Sequence, residues 1–221
     1  MKKILSIAVI LMMAMFFFAA CNEDDDDNSE VGGDQSPMGE VGNEFSISSA
    51  VGMEDLTAEV VEIKDGVSKI RVSGTVTDTN LKKLGETIPN WTFGSYDPET
   101  GNFSADLKMK FTTEGIVDML NSAERPFTLV KFDAEVGDTY TCESASGGTL
   151  TREVTARSNE DDFPYGFYYI KTITVEEPGR NPAVKKIVYK LNHRFGLVHA
   201  TVVLQDGSEI DSYLYSFAEN K

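Results

Sequence analysis

The chain has little of what most small exported domains or enzymes advertise. Two cysteines among 221 residues cannot build a disulfide framework, and two histidines fall short of a zinc triad on their own. There is no Gly-x-Ser-x-Gly elbow, no glycine-rich phosphate loop and no Cys-x-x-Cys pair. The motif-defined routes to acyl transfer, nucleotide binding and thiol redox chemistry are therefore missing. Positive charge is scarce as well: 20 basic residues stand against 36 acidic ones, for a net charge of −16. Such a body is repelled by nucleic acid and by anionic headgroups, so neither is an expected partner.

What is present is concentrated first at the amino terminus. Lys2 and Lys3 precede an apolar run from Ile4 to Phe18 that is broken only by Ser6, and Ala19 and Ala20 lead into Cys21. A positive start followed by apolar residues is the layout of a secretory signal. The run is shorter than the ~20 residues needed to cross a bilayer, which disfavours an uncleaved anchor. The stretch Phe18-Ala19-Ala20-Cys21 resembles the bacterial lipoprotein cleavage motif. That resemblance implies a signal peptide over residues 1–20 and an acylated Cys21, palmitate being one such chain, anchored in the outer membrane. Each buried methylene contributes roughly 0.8 kcal/mol, so two or more chains hold stably.

Residues 21–45 read as a lipidated cysteine and a disordered acidic leash. From Asn22 to Phe45 there are nine acidic residues and no basic one, interspersed with glycine, too little apolar surface to offset the entropy of ordering. Glu23, Asp24, Asp25, Asp26 and Asp27 follow the cysteine almost directly. They look like the acidic export signal of surface lipoproteins of the Bacteroidota, which implies the lipoprotein export machinery as a partner and the cell surface as destination. A solvated spacer is the alternative. A calcium loop is disfavoured, because consecutive aspartates lack the glycine turn and alternating spacing of an EF-hand. Without Lys2 and Lys3 the charge is −18, of which the leash supplies half.

Residues 46–221 read as a single β-rich domain. In residues 69–76, Ile70, Val72 and Val76 alternate with Lys69, Arg71, Ser73 and Thr75; in 106–111, Leu107, Met109 and Phe111 alternate with Lys108 and Lys110. These are half-exposed antiparallel strands. Segments 167–176, 183–191, 197–204 and 209–217 carry β-branched and aromatic residues on both faces and are expected as core strands. Asp65-Gly66 and Asp206-Gly207 mark hairpin turns. Two stretches look helical: Thr112 to Leu120, with Thr112 as N-cap and Ile116, Met119 and Leu120 at three-and-four spacing, and Asn80 to Leu84. The expected fold is mainly β, an antiparallel sandwich or incomplete barrel with one or two short helices. A long curved sheet cradling the 112–120 helix, as in periplasmic lipid carriers, is the extended alternative.

The chemistry-bearing residues are few. Cys142 is expected as a free, buried strand thiol, since an acylated Cys21 cannot pair with it. His193 and His199 could share a strand face, but a zinc site needs a third donor such as Glu209 or Asp211. Asp161 and Asp162 are adjacent on one loop and cannot flank a glycosidic bond from opposite sides. No catalytic, cofactor or metal residue is assigned. Aromatics offer more: Trp91, Phe93 and Tyr96 in one stretch, and Phe163, Tyr165, Phe167, Tyr168 and Tyr169 in another. Phe163 and Tyr165, beside Pro164 and Gly166, are expected to be exposed and to contact a glycan or protein ligand.

Over residues 130–210, the order of FDAEVGDTYTC, TREVTARSNEDDF, IKTITVEE and NHRFGLVHATVVLQDGS resembles exported lipoproteins of the Bacteroidota, in which Val-Gly-Asp-Thr and Phe-Gly-Leu-Val segments recur. The resemblance implies a β domain and carries over no catalytic residue. Fimbrial lipoproteins of that group are longer, which counts against a shaft subunit. Three classes of function stay open: a tethered non-catalytic binding or accessory module, a subunit of a surface assembly offering a free strand edge, and a hydrolytic enzyme.

Overall fold

Alternating burial along the strands builds the sheet, as Ser68, Ile70 and Val72 turn inward while Arg71 faces solvent. The computed structural model describes residues 31–48, 52–79, 82, 94–119, 126–143, 148–179 and 184–220. Its strands are β1 (Glu44–Ser48), β2 (Met53–Lys64), β3 (Val67–Val76), β4 (Gly94–Tyr96), β5 (Asn102–Phe111), β6 (Gly115–Asp118), β7 (Phe127–Lys131) and β8 (Thr139–Glu143), followed by β9 (Thr149–Arg157), β10 (Phe163–Tyr165), β11 (Tyr168–Ile170), β12 (Ile173–Pro178), β13 (Val184–Asn192), β14 (Gly196–Leu204) and β15 (Glu209–Ser216).

Thirteen strands form one sheet, in the order β7-β6-β5-β3-β2-β1-β15-β14-β13-β12-β9-β8 with β4 added beside β5. Every ladder is antiparallel. The two ends meet: β7 lies beside β8, and Lys131 N–H donates to Tyr140 Oη at 3.1 Å. The fold is thus mainly β, a nearly closed barrel-like sheet. The two turns expected at Asp-Gly pairs are present. Asp65 and Gly66 both take positive φ, 52° and 75°, as a two-residue type I′ hairpin requires. Asp206 Oδ1 instead accepts from Ser208 N–H at 2.9 Å to shape the β14–β15 turn.

Three expectations are corrected. Residues 112–119 of the stretch expected from Thr112 to Leu120 do not form a helix; Leu120 lies outside the described residues. Thr112 Oγ1 does accept backbone bonds from Glu114 (3.2 Å) and Gly115 (3.0 Å), as an N-cap would, but they close a turn between β5 and β6. Ile116, Val117 and Asp118 are then buried on both faces between β5 and β7. Burial of both faces removes the period-two signal, leaving a spacing that imitates a helix. The lipid-carrier alternative loses its helix with it.

Residues 31–45, expected within the disordered leash, belong to the folded body. Val31 and Met38 are buried, a short 3-10 turn spans Pro37–Gly39, and Glu44 and Phe45 open β1. Ser36 N–H donates to Phe111 O at 3.0 Å, Ser68 Oγ to Gly39 O at 2.7 Å, and Asn43 Nδ2 to Met38 O at 2.8 Å. Acidic composition understated this segment because two apolar side chains and backbone bonds hold it down.

Cys142, on β8, is buried as expected but disulfide-bonded, not a free thiol. The chain has one other cysteine, Cys21. Acylation of Cys21 would leave Cys142 no intrachain partner, so the two states exclude each other. Except for Lys82, the helical stretch expected at Asn80 to Leu84 lies outside the described residues, as do Trp91, Phe93, Cys21, Glu23 and Asp24 to Asp27.

Candidate functional site

Strands β10 and β11 form a separate two-stranded hairpin laid on the outside of the barrel. Its loop is Gly166-Phe167. Glycine at the first position takes φ +59°, the sign a type II′ turn demands, and this throws Phe167 outward. Phe167 is 104% exposed, and Tyr168 and Tyr169 are 67% and 66% exposed.

The base of the hairpin is pinned by Tyr165 and Ile170, which pack on Val198. Tyr165 is buried between Phe195 and Tyr215, with ring centroids 4.7 and 4.9 Å away, and its Oη accepts from Ser216 N–H at 3.2 Å. Burial pushes its hydroxyl pKa up to about 12. Phe163 is half-buried against His199 (5.7 Å) and Tyr213 (6.3 Å), with Lys190 Nζ 5.5 Å from its ring centre. Phe163 and Tyr165 therefore anchor the hairpin, and the exposed aromatics are their neighbours across the turn. Proximity to Pro164 and Gly166 signalled a loop without telling which side of it faces the barrel.

Two clefts open beside the hairpin and share Lys171, Asn192 and His193. The smaller, about 530 Å³, is walled by Tyr168, Tyr169, Arg194 and Glu219. The larger, about 760 Å³, lies between Val31-Gly32, Lys131 to Asp133, Arg157-Ser158 and Lys171 to Ile173. Both fall within the ~300–1,000 Å³ range of ligand pockets. Backbone bonds fix their shared base. Asn192 Nδ2 donates to Lys171 O at 2.7 Å, while its Oδ1 accepts from Arg194 N–H (2.8 Å) and Phe195 N–H (3.1 Å). Asn220 Nδ2 donates to His193 O at 2.6 Å, tying the carboxyl-terminal segment to the same turn.

The charges in these clefts differ in their commitments. Arg194 is held bidentately by Glu219, Nε to Oε2 at 2.6 Å and Nη2 to Oε1 at 2.8 Å. Lys131, Arg157, Lys171 and His193 make no ion pair among the described residues. Among the described residues His193 thus has no carboxylate positioned to orient it as a base.

The two histidines do not share a site. His193 is exposed at the clefts, whereas His199 is buried between Phe163 and Tyr213. Its Nε2 is 3.2 Å from Asp211 Oδ1 yet off the direction of a hydrogen bond. Burial lowers its pKa, Lys190 adds to the lowering, and Asp211 offsets only part. No group of three or more histidine, cysteine or acidic side chains able to hold a metal occurs among the described residues. Asp161 and Asp162 are exposed in the loop before β10.

A feature that sequence patterning missed lies inside the barrel. Arg152 is fully buried, donates through Nε to Glu177 Oε2 at 2.6 Å, pairs with Asp118, and gives Nη1 bonds to Phe127 O (3.1 Å) and Thr128 O (3.0 Å). Its guanidinium lies 3.9 Å from the Phe127 ring centre. Burial alone would lower the Arg152 pKa, but Asp118 and Glu177 raise it overall, so it stays charged. The adjoining apolar cavity, lined by residues such as Phe45, Leu107, Tyr189 and Asp118, holds only about 140 Å³. That is close to the ~150 Å³ space that admits one benzene, too small for a lipid chain. The cluster is a structural knot of the core.

Comparison with family models, with curated proteins and with solved structures returns no match for this chain.

Proposed function

We propose that the chain is a membrane-tethered surface lipoprotein whose β domain is a non-catalytic binding or accessory module for a glycan or protein. The observation that carries the reading is the hairpin tip: Phe167, Tyr168 and Tyr169 stand in solvent on an element that Tyr165 and Ile170 pin to the barrel. Large aromatics left exposed on a fixed support bury area on a partner at small entropic cost. The two clefts beside them supply polar contacts. An assembly subunit would need a long free strand edge, whereas the end strands β7 and β8 have five residues each and face one another. A hydrolase would need a base oriented by a second group, and His193 has no such carboxylate among the described residues.

The address rests on the amino-terminal residues. Acylation at Cys21, the state that leaves Cys142 without its disulfide, anchors the domain in the outer membrane, and Glu23 with Asp24 to Asp27 directs it outward. Cys21→Ser should abolish acyl labelling, while alanines at 23–27 should leave labelling intact and reduce cleavage by added protease on whole cells.

The binding reading is tested on a glycan array and by pull-down with the full chain purified in detergent. Phe167→Ala/Tyr168→Ala/Tyr169→Ala should lose binding with the thermal midpoint nearly unchanged. Binding retained by a folded triple variant would contradict it.

A further inference from the structure

The larger cleft sets three cations, Lys131, Arg157 and Lys171, against two carboxylates, Glu114 and Asp133, and so is net positive in a chain that is strongly acidic. With 36 acidic residues available for 20 basic ones, a carboxylate partner is easily found, and Lys69, Arg71, Lys186 and Arg194 each have one. Lys131, Arg157 and Lys171 have none among the described residues, although they come from the end of β7, the end of β9 and the β11–β12 connection to line one cleft of about 760 Å³. Glu114 and Asp133 line it too. The Glu114 carboxylate lies over Gly32 at the amino-terminal wall of the cleft, its Oε2 only 2.5 Å from where a Cβ there would stand.

Arg157 spends one Nη1 bond on Ala134 O, out of the five donors of a guanidinium. The remainder suit the paired oxygens of a carboxylate or sulfate. At physiological ionic strength charges beyond ~8 Å are largely screened, so the distant acidic surface does not cancel the field inside the cleft.

The sharing of Lys171 and His193 with the cleft walled by Tyr168 and Tyr169 puts two exposed aromatic residues in the cleft that adjoins these cations at Lys171. A ligand matching both carries rings and acid groups along one chain.

Resting on the binding reading above, we infer that the site takes an acidic saccharide. Its carboxylate or sulfate ester groups lie among Lys131, Arg157 and Lys171, and neighbouring rings lie against Tyr168 and Tyr169. An acidic polypeptide would satisfy the cations but leave the aromatic faces without a matching ring.

The test titrates the detergent-purified full chain with polygalacturonate, dextran sulfate, neutral dextran and poly-glutamate. Polygalacturonate or dextran sulfate should bind, the two arms separating carboxylate from sulfate, with neutral dextran and poly-glutamate at least about tenfold weaker. Arg157→Gln/Lys171→Gln should weaken the acidic saccharide about tenfold or more, and Tyr168→Ala/Tyr169→Ala should weaken it while the cations remain. Both variants change exposed side chains, and an unchanged thermal midpoint checks folding. Equal binding of poly-glutamate, or no binding of either acidic polysaccharide, would overturn the inference. A neutral glycan bound through Tyr168 and Tyr169 but indifferent to Arg157→Gln/Lys171→Gln would overturn it while leaving the binding reading intact. Indifference of any bound ligand to both variants would overturn both.

Discussion

Met38 fills the space in front of Gly196, its sulfur 2.9 Å from the position a Cβ would occupy there. The contact joins the amino-terminal segment to the β13–β14 turn that forms the base of both clefts. Gly196 also has φ +73°, so a side chain there would meet both a strained backbone and an occupied space. Met38 itself is fully buried. Truncating a buried methionine costs about 2–5 kcal/mol. Met38→Ala should therefore lower stability to chemical denaturation by that order, whereas a residue on an unstructured leash would change nothing. An unchanged denaturation midpoint would return residues 31–43 to the leash.

The interior ion cluster makes an asymmetric prediction. Removing one member leaves the others buried without compensation, a loss of about 3–5 kcal/mol. Arg152→Met should thus destabilise strongly, and Arg152→Met combined with Asp118→Leu and Glu177→Leu should recover much of the loss. Equilibrium unfolding of the single and triple variants checks this. Equal losses in both would mean that packing at these positions, not charge, sets the cost.

His199 gives the pH dependence. Its folded pKa lies below the ordinary value of 6.5, first because it is buried. The unfolded chain then takes up a proton at higher pH than the folded one. The stabilising contribution is complete above 6.5 and is lost as pH falls through 6.5 towards the folded pKa. His199→Phe keeps a ring beside Phe163 and Tyr213 and removes the titration. Its thermal midpoint should fall less than that of the natural protein between pH 7.5 and 5.5. Parallel curves for the two proteins would show that His199 does not titrate with unfolding.

Cys142 reports on the fate of Cys21. If Cys21 is acylated, the protein extracted from membranes should expose one alkylatable thiol on denaturation without reductant, at Cys142. In non-acylated chain the disulfide should block it until reduction. A membrane-extracted chain that takes up alkylating reagent only after reduction would contradict acylation of Cys21.

Much of the sheet could be read from residues. Ile70, Val72, Leu107 and Met109 alternate cleanly because each strand keeps one wetter face, and Asp65-Gly66 has turn geometry that few other pairs adopt. Strand β6 could not be read, because Ile116 to Asp118 are buried on both faces. Arg152 resembles any outward-facing strand residue in Thr151-Arg152-Glu153, since its partners Asp118 and Glu177 come from distant strands. The aromatic stretch reads as a binding candidate from its composition alone. Which aromatics it exposes depended on the Gly166-Phe167 turn and on Phe195 and Tyr215 across the barrel surface, tertiary neighbours that local sequence does not name.

The most direct measurement is hydrogen–deuterium exchange of the full chain with and without the tightest-binding glycan from the array. Bound ligand should slow exchange in residues 163–171 and in the 192–196 turn, leaving the outer faces of β2 and β3 unchanged. Protection centred on β2 and β3, with none in the hairpin, would contradict the assignment of the aromatic hairpin and its clefts as the binding face.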